Sequence, residues 1–130
     1  MSDFDPLQPL YRTYITACHI LHHYSVLDAY GHLSVRHPHD PSVFIMARYL
    51  PPALISSPSD LLEYQISNAE PVDPHAPNGY TERFIHSEVY KRFPDAGAVV
   101  HSQSNAVIPF GIVAKVEMRA CTNTAGFLGT

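Results

Sequence analysis

The amino-acid sequence predicts a mixed α/β fold, and three observations carry that expectation. Residues 9–30 place Leu10, Tyr14, Cys18 and Leu21 at intervals of four, four and three, a spacing that lines one face of a helix. Two short β-prone segments, His32–Arg36 and Val43–Ala47, flank the run HPHDPS, whose Pro and Asp supply turn chemistry, so the pair reads as a hairpin. A second helical pattern over residues 81–92 leads directly into an apolar, strand-like stretch at 96–101.

Taken in order, the first helix should stop near Gly31, because glycine is the usual residue at a left-handed helix terminus. The second hairpin strand, VFIMA, is apolar throughout and should be covered on both faces. Pro51, Pro52 and Pro58 forbid a long helix over residues 50–60. LLEYQI, after Ser59 and Asp60, forms a short strand or turn, and AEPVDPHAPNGY at 69–80 is a proline-rich irregular loop of a length that often serves function. Thr81 is positioned to cap the second helix, with Phe84, Ile85, Val89 and Phe93 expected toward the core and Pro94-Asp95 closing it. Residues 96–101 then read as a buried strand, 105–112 as a helix and 116–121 as a further strand. There is no internal repeat, low-complexity tract or second domain, so residues 1–130 are expected to form one unit.

Composition narrows the function. With 130 residues and 45% hydrophobic content the chain is one domain in size and can bury a core. Eight basic against twelve acidic residues give a formal charge of -4, without a run of like charges, which argues against nucleic acid or an anionic membrane as partner. Small neutral or anionic molecules remain. Cys18 and Cys121 make no disulfide framework, and neither a leader-like N-terminus nor an 18-residue apolar run is present, so a reducing, cytoplasmic setting is the expectation. The G-x-G-x-x-G, Walker and G-x-S-x-G patterns are all missing, which removes common nucleotide and serine-hydrolase readings.

The chemistry-bearing residues cluster late in the chain. In VVHSQS, His101 and Gln103 share a face if the strand continues, the arrangement of an H-x-H metal pair, but an amide is a weak oxygen donor beside an imidazole. Taken alone, a histidine at a strand end is more often structural than a ligand. Glu82, His86 and Tyr90 stand four apart along one helical stripe, so a carboxylate lies one turn from a histidine. The plainer reading of Glu82 is a favourable charge at a helix N-terminus, worth a few tenths to about 1 kcal/mol. His19, His22 and His23 read as a solvated helix surface, His37 and His39 as exposed turn residues, and Cys121 as a packed thiol.

Together and in order, GHLSVR, FIMAR, SDLLEY and ERFIHSEVYKRFPDAGAVVHSQS resemble the class II aldolase/adducin family, with matching order and spacing across residues 29–110, and AGFLG extends the likeness toward the C-terminus. The resemblance implies a central, mainly antiparallel sheet flanked by helices in three layers, built into homo-oligomers with active sites at subunit interfaces. It implies a divalent metal, usually zinc, held by three histidines, and a glutamate that moves a proton at the helix start. Matched residue by residue, Glu82 takes the acid/base position, His101 that of the first metal ligand, and Gln103 that of the second. The third ligand belongs to a later segment, so the domain is expected to be incomplete at its C-terminus. Where sugar-phosphate aldolases carry Asn and paired serines, this chain has His32 and Tyr80-Thr81. A phosphorylated sugar is therefore not the expected substrate.

The resemblance thus implies a lyase that cleaves a carbon–carbon bond of, or decarboxylates, a small carbonyl or carboxylate substrate with an altered metal site. His32, Ser34, Tyr80, Thr81 and His86 would form its substrate pocket. Two alternatives stand beside it: a non-catalytic, adducin-like binding or oligomerisation domain, and a metal-free acid/base enzyme using Glu82, His86 and His101.

Overall fold

The computed structural model describes residues 5–122 and 124–125. Most of AGFLG, and whatever it adds to the resemblance, lies outside them.

Helix α1 spans Gln8–His23 and packs through Tyr14 and Cys18, both buried. It ends well short of Gly31. Ser25 takes the left-handed conformation (φ 58°) and the Val26 and Leu27 amides turn back onto the Leu21 carbonyl, so the terminus expected at Gly31 forms earlier. Gly31 serves a different purpose: a Cβ there would lie 2.8 Å from Leu27 Cδ2 and 3.3 Å from the His101 carbonyl oxygen. Its backbone needs space, not a positive φ. Asp28 prepares this corner by accepting the Tyr30 and Gly31 amides at 2.9 and 2.7 Å.

Strands β1 (His32–Arg36) and β2 (Val43–Ala47) form the expected hairpin, and every residue of β2 is buried. At roughly 1.5–3 kcal/mol for each fully buried large apolar side chain, Phe44, Ile45 and Met46 anchor the core. His37 helps close the turn, its Nδ1 accepting the His39 and Asp40 amides, and it is partly buried, in contrast to the exposed position expected. Two single 3-10 turns, Pro52–Leu54 and Pro58–Asp60, replace a helix in the proline-rich stretch. Strand β3 (Leu61–Gln65) follows, and α2 (Arg83–Arg92) leads to β4 (Ala98–His101). The sheet has the order β3-β2-β1-β4 and is antiparallel throughout, with helices packed on it.

Helix α2 corrects the sequence reading most. Glu82, not Thr81, occupies the N-cap position, and no side chain caps it. The buried residues are His86, Ser87 and Tyr90, while Phe84, Ile85 and Phe93 are 48%, 41% and 50% exposed. The polar stripe faces the sheet because β1 offers it hydrogen-bonding partners, whereas the outer aromatics are covered by guanidinium groups, Arg83 over Phe84 and Arg92 over Phe93. Arg36 ties the helix end down, donating to the carbonyls of Tyr90, Phe93 and Ala96. As the sheet edge, β4 alternates exposed and half-buried residues, so it is not the buried strand expected. Beyond it α3 is confined to Ile108–Ile112, and residues 116–121 form no strand; Cys121 is exposed, not packed.

Candidate active site

The register of β1 on β4 sets His32 directly opposite His101. Directly opposed residues of antiparallel neighbours point to one face, so both imidazoles emerge beneath the start of α2. Glu82 meets them there. Its Oε2 lies 2.8 Å from His32 Nε2 and 3.3 Å from His101 Nδ1, and those two ring nitrogens are 3.3 Å apart. His32 is buried, whereas the Glu82 and His101 side chains keep 44% and 28% of their surface in solvent. The group is anchored within and open without.

Behind His32 runs a string of hydrogen bonds. His32 Nδ1 is 2.7 Å from His86 Nε2, His86 Nδ1 is 2.6 Å from Ser34 Oγ, and Ser34 Oγ is 2.9 Å from the Tyr90 hydroxyl. All four residues are buried. Ser34 and His86, expected to line the substrate pocket, therefore sit behind His32 and bear on the open side only through it.

Burial sets the protonation states. His86 is pushed down to about 3 by desolvation and then by the neighbouring His32 and His101, so it is neutral. His32 is lowered as well, because burial outweighs its hydrogen bond to Glu82. The same bond, seen from the other side, is the main reason the Glu82 carboxyl lies below its ordinary value, so Glu82 is an ionised base at neutral pH. Burial raises Tyr90 to about 12 and keeps it a hydroxyl.

In front of Glu82 opens a cleft of about 560 Å³ lined by Tyr30, Tyr49, Leu50, Pro51 and Tyr80, with Thr81 and Gln103 on its polar side. Of the residues expected to bind substrate, Tyr80 and Thr81 reach this cleft. The Tyr80 hydroxyl donates to the Leu50 carbonyl, leaving the ring as the lining surface. Among the described residues no Lys or Arg lines it. Tyr30, Tyr49, Leu50 and Pro51 escape a sequence reading, since they lie in loops whose only signal is the proline pair.

His32, Glu82 and His101 place three donor atoms within 4.8 Å of one another. Two imidazole nitrogens and a carboxylate oxygen form a donor set that suits a divalent metal such as zinc, so the residues present fit one. Gln103 lies past the end of β4 and is exposed at the cleft.

A family model described as the class II aldolase and adducin N-terminal domain matches residues 12–129. The decarboxylase tropJ of Talaromyces stipitatus is 53% identical over 118 residues, which are 91% of this chain and 44% of that protein. The crystal structure of L-fuculose-1-phosphate aldolase from Thermus thermophilus superposes with a TM-score of 0.60 at 25% identity, covering 79% of this chain and 50% of the other. An aldolase II superfamily protein from Pseudomonas syringae gives a TM-score of 0.72 at 21% identity, over 86% and 46% respectively, and so speaks for the fold. This chain spans about half the length of the relatives it matches.

Proposed function

The chain belongs to the class II aldolase and adducin N-terminal domain family, and on that basis we propose that it carries the acid/base centre of a metal-assisted lyase. The reaction is decarboxylation, or cleavage of a carbon–carbon bond, in a small carbonyl or carboxylate substrate. One observation carries the reading: an ionised, half-exposed carboxylate, Glu82, is held against His32 and His101 at the mouth of a cleft. The name of the 53% identical relative, a decarboxylase, supports the same class of reaction.

A divalent metal, held by His101 with Glu82 beside it, would draw electron density from a substrate oxygen and stabilise the negative charge that develops when the carbon–carbon bond breaks. As the bond breaks, Glu82 takes up the proton of the substrate's own carboxyl or hydroxyl group as a base, and returns it as an acid to the carbon left with the charge. In the metal-free chain the His32 Nε2–H holds Oε2 in place, and Oε1, which has no hydrogen bond among the described residues, is free to face substrate. The rings of Tyr30, Tyr49 and Tyr80 with Leu50 offer a surface that suits an apolar body, and Gln103 and Thr81 supply polar contacts. With no Lys or Arg among the described residues of the lining, a phosphate group would lack a charged partner there, which supports an unphosphorylated substrate. A homo-oligomer in a reducing, cytoplasmic setting belongs to the same proposal; Cys18 and Cys121 are both free, and no described helix is long and apolar enough to cross a membrane.

The test is carbon dioxide release or aldehyde formation from a panel of β-keto, aromatic and hydroxy carboxylates, using the full chain supplied with zinc. Glu82→Gln should lower the rate by about 10²–10⁴-fold. Turnover that Glu82→Gln leaves intact would sink this assignment.

A further inference from the structure

Position 103 carries an amide, which leaves open where a second imidazole for the metal comes from. We propose that β1 supplies it: His32, Glu82 and His101 form the metal-binding set, with His86, Ser34 and Tyr90 as the buried support of His32. This rests on the reading of Glu82 and His101 as a metal-assisted centre and goes beyond it by naming the missing ligand.

The three donor atoms already stand at nearly the spacing a metal needs. Ligand atoms about 2.0–2.1 Å from a tetrahedral zinc stand about 3.3 Å from one another. The Glu82 Oε2–His101 Nδ1 and His101 Nδ1–His32 Nε2 separations are both 3.3 Å, and His32 Nε2–Glu82 Oε2 is 2.8 Å. Two edges of the triangle already have the required length. The third must open by about half an ångström, a small movement for a carboxylate on a half-exposed side chain.

His32 is also supported from behind. A metal-binding imidazole is normally fixed by a hydrogen bond from its other ring nitrogen, and mutation of that partner costs affinity. His32 Nδ1 has such a partner in His86 Nε2 at 2.7 Å, and His86 is held in turn by Ser34 and Tyr90. His101 and Gln103 belong to the rim and have no comparable backing among the described residues.

The string of hydrogen bonds can also run in either direction. When His32 Nε2 carries the proton it donates to Glu82, and Nδ1 accepts from His86 Nε2–H; Ser34 donates to His86 Nδ1, and Tyr90 donates to Ser34. When Nε2 takes a metal the proton resides on Nδ1, and each donor becomes an acceptor: His32 donates to His86, His86 to Ser34, Ser34 to Tyr90. Neutral imidazole has one donor and one acceptor nitrogen, and a hydroxyl can do both, so the same heavy-atom positions serve both states. In both directions every imidazole nitrogen and the Ser34 hydroxyl keep a partner; what changes is the far end, where Tyr90 passes from donating to Ser34 to accepting from it.

The experiment titrates the metal-free full chain with zinc in competition with a chromophoric chelator, and records long-range ¹H–¹⁵N imidazole correlations before and after loading. The native chain should bind one ion, His32 should pass from the Nε2–H to the Nδ1–H tautomer, and His32→Asn should weaken binding by roughly 100-fold or more. His101→Ala is the companion variant. Affinity lost in His101→Ala but kept in His32→Asn, or a His32 that retains Nε2–H in the zinc-loaded chain, overturns this assignment and leaves the metal-assisted reading standing. A native chain that binds no zinc overturns both. The tautomer measurement uses the native protein, so it decides even where His32→Asn fails to fold.

Discussion

Two carboxylates in this molecule stand at a helical turn beside a cationic or imidazole group, and they have opposite characters. Asp60 ends the short Pro58–Asp60 turn and is 7% exposed. Its Oδ1 accepts from Arg48 Nε at 3.0 Å and Nη2 at 2.9 Å, and its Oδ2 accepts the Ser56 and Ser57 amides at 3.0 and 3.1 Å. Both oxygens are fully engaged. Glu82 engages one oxygen only, with two imidazoles, and its side chain is 44% exposed at a cleft. A carboxylate whose lone pairs are all committed can stabilise a fold but cannot take up a proton from elsewhere. One left half free, and held ionised by a neighbour, can.

That contrast predicts opposite consequences for the same kind of substitution. Glu82→Gln should give the largest effect, the loss in turnover of about 10²–10⁴-fold, with unfolding free energy changed by no more than about 0.5 kcal/mol because the amide oxygen of Gln can still accept from His32 and the side chain is half-exposed. Asp60→Asn should do the reverse: about 2 kcal/mol of stability lost in urea melts, through charge-assisted bonds to Arg48 and two amides, with turnover per folded molecule unchanged. If both variants lose activity and stability together, the distinction fails.

Acid should reveal Asp60 as well. Its carboxyl is held below its ordinary value, chiefly by the Ser56 amide with help from Arg48 and Ser57, so the unfolded chain takes up this proton first as pH falls. The stabilisation is complete above the unfolded value of about 4 and drains away as pH drops below it toward the folded value. Melts of Asp60→Asn should therefore be flatter than the native chain's below about pH 4. The smallest effect belongs to a buried group with no engagement at all. Tyr64 is buried and its hydroxyl has no hydrogen-bond partner among the described residues, so Tyr64→Phe should be neutral within about 0.5 kcal/mol, or slightly stabilising.

Much of this architecture is written in local pattern. The β1–β2 hairpin appears where HPHDPS and its β-prone flanks place it, and VFIMA is buried throughout because an uninterrupted apolar run has no face to spare for water. For helix α2 the pattern gives the location and misleads about the orientation. Apolar periodicity points to Phe84, Ile85 and Phe93, and what turns the helix over is a pair of partners on β1, His32 and Ser34, which stand 54 and 52 residues from His86. Periodicity cannot register a complementary strand. The same limitation governs the site. Glu82 and His101 are legible in the motif, whereas His32 reads as a substrate contact, because its place opposite His101 depends on strand register, which no local spacing encodes. The cleft walls at Tyr30 and Tyr49 come from loops, where chain geometry, not pattern, brings side chains together.

Gly31 gives the site a tolerance measured in single atoms. A methyl group there would press on Leu27 Cα at 3.2 Å and on the His101 carbonyl oxygen at 3.3 Å. Leu27 lies in the packed core and cannot retreat, so the yielding partner would be the end of β4. A residue that contributes no donor thus stands within van der Waals reach of the strand that carries His101. The corner where β1 begins lies this close to the end of β4 because of an atom that is missing.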